Sequence, residues 1–384
     1  MEPFIDKILI SRYSLIGGLV LLFFAITATD LISNDVGGTD HIVERAIYFD
    51  QSRSISIEEI VEKEFSTFQG VMNSHGYSDG KIWLRVTVKP SVNYEPLFLH
   101  VHPNNRNLIS LYTPDRQQKP GWTVEQTGNR VAWKDRPVKS KDLGFVLNPI
   151  QSTTYYISLE TLGSASIDLQ AHTLTETALN EHKTLIWEMA YFFAFLLVLT
   201  WSGYQYYLKK NSINFIFCVA HCLYLALAFC VLGYLDPFVP NSNSISEVVF
   251  LLIILTTAAT CYFHRELLYE RGIPSWCTRA INLAILVSIF SMVLLLSGNE
   301  RIALRLNSLN ILYVIICIFI SACLSKSDEY LTKYTIIGHY SFLLISVFTH
   351  LLPILGLVEI PALSSNGVLF HGIISVSIFG HLLH

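Results

Sequence analysis

The sequence predicts a mixed fold: an exported all-β sandwich or jelly-roll domain, followed by a seven-helix transmembrane bundle. Three observations predict it. Of 384 residues, 52% are hydrophobic and only 15% charged, with a mean hydropathy of +0.44, the balance of a polytopic membrane protein. The charge is unevenly divided. Residues 30–183 hold 15 Lys/Arg and 19 Asp/Glu, whereas the longer stretch 184–384 holds only 9 and 9. Finally, short alternations of apolar and polar residues fill the first half, and long apolar runs fill the second.

The elements follow in chain order. Lys7 and Arg12 precede the apolar run SLIGGLVLLFFAITAT (14–29), which has small residues near Ala28. A basic flank, a short apolar stretch and a small-residue cleavage region make 1–29 a signal peptide, with an uncleaved anchor as the alternative. Either sends residue 30 onward across the membrane. A soluble domain then occupies 30–182. Its SISIEEIVEKEF segment predicts a short helix, where Ser56 and Glu59 fit a capping box. Strands are predicted at IWLRVTV (82–88), LFLHVH (97–102), LISLYT (108–113), TVEQ (123–126), YYISLE (155–160) and SIDLQAH (166–172). Polar turns such as HPNNRN and LGSAS separate them, the pattern of a sandwich or jelly roll.

Residues 183–384 supply seven apolar spans: 185–207, 213–235, 248–263, 280–297, 306–324, 334–357 and 368–383. Loops on one side carry Lys209, Lys210, Arg265, Arg271, Arg279, Lys326 and Lys333; loops on the other carry only Arg301 and Arg305. That bias puts the first set in the cytoplasm. The expected location is therefore a bacterial inner membrane, with the soluble domain in the periplasm and the C-terminus cytoplasmic. The linker HTLTETALNEHKT (172–184) contains neither Gly nor Pro, so it is expected to run stiffly into the first span.

Gly76, Gly80, Trp83, Leu84 and Arg85, with LISLYTP (108–114), YYISLETLG (155–163) and the aromatic stretch AYFFAFLLVLTWSGYQYYLKKNSINF (190–215), carry a resemblance. In the order of its parts the chain resembles the bacterial seven-transmembrane receptors with diverse intracellular signalling modules (7TMR-DISM). Its soluble part is similar to their second type of extracellular domain. The resemblance implies a periplasmic jelly roll, similar to carbohydrate-binding modules, that senses a ligand and signals through the helices to a cytoplasmic cyclase, kinase or other module. The sequence departs from that pattern by ending at GHLLH (380–384). The expectation is a truncated product or a separate signalling protein, and no enzymatic activity is carried over.

Within this frame Trp83 is expected in the core. Trp122 and Trp133 sit in polar, turn-rich surroundings and are candidate platforms for stacking a sugar or other small ligand. Tyr94 and Tyr112 are weaker versions of the same idea. Glu188 stands near the outer end of the first span, where a carboxylate is costly, and is the candidate for coupling the domain to the helices. His100 and His102 share one face of a strand, but no third ligand is visible nearby in the chain, so no metal site is assigned. His221, His339, His350, His371 and His381 raise a second reading, a membrane electron carrier with histidine-ligated haem at two depths. Against it, they serve as interhelical hydrogen-bonding groups, and no cofactor is expected. The seven cysteines all lie between 218 and 323, without Cys-x-x-Cys spacing, and read as packing residues.

No phosphate loop, zinc-protease motif or nucleophilic triad order appears, and a net charge of −4 without a basic stripe excludes nucleic acid. Pro353 is the only interruption of a transporter kind, and is read as a kink. The expected partners are a small-molecule or carbohydrate ligand in the periplasm, the lipid bilayer, a cytoplasmic signalling protein, and a second copy of the chain as a homodimer.

Overall fold

The computed structural model describes residues 38–376, apart from 69, 71, 75, 78–79, 105, 116–120, 240–242, 327–329, 359–367, 370 and 373. The signal or anchor segment 1–29, most of the span expected at 368–383, and His381 lie outside the described residues.

Among the described residues, ten strands form two antiparallel sheets. The larger runs β2 (Ser66–Thr67), β1 (Ile42–Asp50), β4 (Lys81–Val88), β9 (Thr153–Glu160), β6 (Leu108–Pro114) and β7 (Trp122–Thr127); the smaller runs β3 (Met72–Ser74), β10 (Ser166–Thr173), β5 (Leu97–His102) and β8 (Gly144–Leu147). All six predicted strands are present. Alternate residues point to opposite faces, so Ile82, Leu84, Val86 and Val88 of β4 meet Leu97, Leu99 and Val101 of β5 across the sandwich. Trp83, one position out of phase, is fully buried on the opposite face. There a second cluster holds Ala46, Phe65 and Tyr156, with Ile57 and Ile60 of α1 (Ile57–Ile60). Ser56 and Glu59 form the predicted capping box that starts this helix.

The second half contains α2 (Leu174–Lys209), α3 (Ser212–Val231), α4 (Asn243–Tyr269), α5 (Ser275–Leu296), α6 (Glu300–Leu324) and α7 (Tyr330–Ile354). Among the described residues, these six are long and apolar enough to cross a membrane. The sheet-to-helix change falls at Thr173, nine residues before the boundary expected at 182. Thr173 accepts from the Glu176 amide while Glu176 accepts from the Thr173 amide, a capping box that starts a continuous helix of 36 residues. The linker is therefore the first three turns of α2. Pro353 lies inside α7, one residue from its end.

Buried amides and hydroxyls tie the helices together. Asn307 Nδ2 donates to Thr257 Oγ1 at 3.1 Å, and Asn310 Nδ2 to Ser288 Oγ at 3.0 Å and Ala284 O at 2.9 Å. Such bonds replace the hydrophobic drive that lipid does not supply.

Candidate functional site at the junction of sandwich and bundle

The sandwich sits on one end of the bundle through charged and polar contacts. Three of them come from the segment between β7 and β8. Arg136 Nη2 lies 2.7 Å from Asp236 Oδ2, in the turn after α3, as a close ion pair with both side chains almost wholly buried. Five residues on, Lys141 Nζ reaches Glu188 Oε1 of α2 at 3.0 Å, and the Tyr234 hydroxyl donates to the other oxygen of Glu188. Between them, Ser140 Oγ donates to Glu181 Oε1 at 3.0 Å. Burial works against the charged Lys141, but the neighbouring Asp142 and Glu188 carboxylates outweigh it and raise its pKa. Burial raises the pKa of Asp236, and Arg136 offsets this only in part.

Two glycines permit the close approach. Gly76 has φ +61°, and a Cβ there would collide with Leu355 O, just past α7; at Gly233, φ +82°, it would meet Lys141 O at 2.8 Å. Further across the junction, the Tyr77 hydroxyl lies 2.8 Å from Ser308 Oγ, Asn107 Nδ2 donates to Ser246 Oγ at 3.1 Å, and Arg301 Nη2 donates to Thr161 O at 3.1 Å.

Beside the Tyr77–Ser308 contact lies a cavity of about 270 Å³. Its roof is the sandwich: Tyr77, Arg106, Ser164 and Ser166. Its walls are apolar side chains of the bundle, among them Leu227, Phe250, Ile315, Val347 and Leu351, and His264, His350 and His371 also line it. Arg106 donates through Nη1 to Ser164 O. Its Nε and Nη2, both buried, have no hydrogen-bond partner among the described residues. Burial pulls this guanidinium down to about 9, with no carboxylate to oppose it. An apolar chamber capped by an under-satisfied cation suits a small amphipathic molecule carrying an acceptor-rich or anionic group.

A second polar cluster lies on the outer face of the smaller sheet, where β5 meets α2. His100 Nε2 is 3.2 Å from Thr177 Oγ1. The His102 ring lies parallel to that of His100 within 12°, with centroids 5.7 Å apart. Asp142 joins them, so the third neighbour that the local sequence does not reveal comes from forty residues downstream. Burial, then the neighbouring His102, drives the pKa of His100 well below the ordinary histidine value, leaving its ring neutral. Burial alone would raise Asp142, but Lys141 and then His102 reverse this and lower it.

The sequence-predicted residues are distributed as follows. Glu188 is buried between sandwich and bundle. Tyr112 and Trp122 come together on the outer face of the larger sheet: Tyr112 packs on Trp83 at 5.2 Å, and Trp122 meets Tyr156 edge-on at 5.4 Å. Tyr94 stands 68% exposed in a turn before β5, and Trp133 lies in a separate turn under Arg136. Of the histidines, His350 and His371 share the cavity, while His339 bonds to Thr335 O within its own helix. His221 reaches Phe217 O at 3.0 Å and Ser375 Oγ at 2.9 Å, and His371 reaches Ser346 Oγ at 3.2 Å, so both take part in hydrogen bonds. His264, 3.1 Å from the Tyr340 hydroxyl, belongs with them and was not singled out by the sequence. Arg106 and Asp236 are not singled out either, because each is a lone charge in a turn.

Residues 44–173 match the family model of the 7TMR-DISM extracellular 2 domain. No curated protein matches the chain.

Proposed function

We propose, from the match of residues 44–173 to the 7TMR-DISM extracellular 2 domain and the six membrane-length helices that follow among the described residues, that the chain is a transmembrane sensory receptor whose ligand is a small extracytoplasmic molecule. One observation carries this reading: the cavity is walled by the bundle and roofed by the sandwich, so an occupant touches both at once. A ligand shifts a two-state equilibrium only through different affinities for the two states, and a site shared by two bodies provides that difference when they move. The Arg106 guanidinium selects an anionic or acceptor-rich head, and the apolar walls take an aliphatic body. Output then runs through Glu188 and the continuous α2 to a cytoplasmic signalling protein, with the sandwich on the periplasmic side of a bacterial inner membrane. This chain itself is assigned no catalysis.

A carbohydrate is the second ligand reading, and it rests on Trp122 beside Tyr112, a partly exposed aromatic surface suited to a sugar ring. Thermal shift of the detergent-solubilised chain separates the two. Octanoate is expected to stabilise the wild type and to lose that effect in Arg106→Gln; cellobiose stabilisation abolished by Trp122→Ala would favour the carbohydrate. An octanoate shift unchanged in Arg106→Gln would refute the cavity site.

A further inference from the structure

The cluster on the outer face of the smaller sheet is not used by the sensory reading, and its chemistry points elsewhere. His100 and His102 are two apart in β5, so both rings leave the same face. On one side of β5, Gly144 of β8 pairs with His100, which carries the chain two residues upstream to Asp142, alongside His102. On the other side, β10 sets Asp168 opposite His102 and Gln170 opposite His100, on that same face. One ring nitrogen from each histidine and one oxygen of Asp142 lie within 4.8 Å of one another.

We propose that His100, His102 and Asp142 form a binding site for a divalent transition-metal ion of the zinc class. Two imidazoles and one carboxylate are a borderline donor set, matched to Zn²⁺ and its neighbours rather than to Ca²⁺ or Mg²⁺, which demand oxygen. Bonds of about 2.0–2.2 Å at tetrahedral angles place donors roughly 3.3 Å apart. Closing from 4.8 Å takes side-chain rotation of three residues whose backbones are already held in register.

The surrounding bonds are those of an outer coordination shell. Asn104 Nδ2 donates to Asp142 Oδ1 at 2.8 Å, and Thr177 holds His100 by Nε2. The His100 Nδ1 is buried with no hydrogen-bond partner among the described residues, a lone pair or proton awaiting a ligand. Lys141 Nζ is 3.7 Å from Asp142 Oδ1, and its charge opposes a cation there. It is held closer to Glu188, at 3.0 Å, and the second oxygen of Asp142 is not the one Lys141 or Asn104 approaches. A fourth position remains for water or for the Asp168 carboxylate. Since Thr177 belongs to the first turn of α2, the ion would fasten β5 and the segment before β8 at the start of the membrane helix.

The test uses the full chain in detergent, stripped with a chelator, loaded with ZnCl₂ and desalted. Metal content and thermal midpoint are then measured. The wild type should retain about one zinc and melt several degrees higher than the stripped protein. His102→Ala and Asp142→Asn should each bind about tenfold or more weakly, while His182→Ala, an exposed histidine on α2, should retain the ion. Asp142→Asn preserves shape and an acceptor for Asn104, which guards against misfolding as the cause of loss. Co²⁺ loaded in place of zinc should give the visible absorption of a tetrahedral site in the wild type and not in either variant. A wild type that holds no zinc above the buffer blank, or one whose zinc survives His102→Ala and Asp142→Asn undiminished, overturns the proposal.

Discussion

The sandwich and the bundle obey opposite rules of burial. In the sandwich Leu84, Leu99 and Phe145 are inside, and Glu44, Glu58 and Lys63 face water. In the bundle Phe193, Leu286 and Phe290 face outward, while Ser288, Asn307 and Ser321 are fully enclosed. The surrounding medium makes the difference. Water rewards burial of apolar area, whereas lipid is as apolar as leucine and leaves polar pairing to hold helices together. The junction belongs to neither regime. It is largely buried yet faces a polar domain, and it holds two charge pairs, Arg136 with Asp236 and Lys141 with Glu188, beside the unpaired Arg106.

That contrast can be broken in several places, beginning with the largest effect. Inserting Gly-Gly after Asn180 interrupts α2 between the capping box and the membrane. Octanoate should then no longer alter the emission of a fluorophore placed at the far end through Lys210→Cys in a cysteine-free background. A preserved response would remove α2 as the transmitting element. Next, Arg136→Ala leaves Asp236 buried and unpaired, and should cost about 3–5 kcal/mol in chemical denaturation of the full chain. Replacing both partners with Met and Leu should cost much less; equal costs would mean the pair is not closed to water.

Trp83→Ala and Phe290→Ala remove rings from opposite kinds of environment. The first should cost about 3–5 kcal/mol as a cavity in the sandwich, the second at most about 0.5 kcal/mol because its ring faces lipid. Asn310→Ala, which breaks a polar tie within the bundle, should fall near 1 kcal/mol.

The smallest effect is a dependence on pH. The folded-state pKa of Lys141 is raised above its ordinary 10.5. Its contribution is therefore fully present below 10.5 and is lost as pH rises through the higher folded value. The stability gap between wild type and Lys141→Met should stay flat from about pH 7 to 10 and narrow only beyond that. A gap that closes below pH 9 contradicts the Glu188 pairing.

Legibility in the sequence tracked how local each cause was. In the run at 82–88, Leu84, Val86 and Val88 alternate with Arg85 and Thr87 and announce a strand, and Ser56 with Glu59 announces its helix, because both signals lie within a few residues. β1 was missed. Its Ala46 and Ile47 are both buried, one in the outer cluster and one between the sheets, and the pairing slips between Ile42 and Glu44, so no clean alternation survives. β8 is four residues long and too short to carry a pattern. Glu188 was found because a carboxylate in an apolar run stands out on its own. Its partner Lys141 and the third member of the histidine cluster, Asp142, are ordinary charges in a turn, and only strand pairing gives them their neighbours. Arg136 and Asp236 are a hundred residues apart, and nothing in either surrounding predicts the other.

Sandwich and bundle are docked as one unit across a shared junction. Asn107 and Ser246 test it most directly, since their side chains meet at 3.1 Å with one on each side. In a cysteine-free background, Asn107→Cys with Ser246→Cys should form an intramolecular disulfide in native membranes under mild oxidation, while Val43→Cys, on an exposed edge of the sandwich, should not cross-link with Ser246→Cys. Failure of the first pair to close, or equal closure of both, would contradict the docked arrangement.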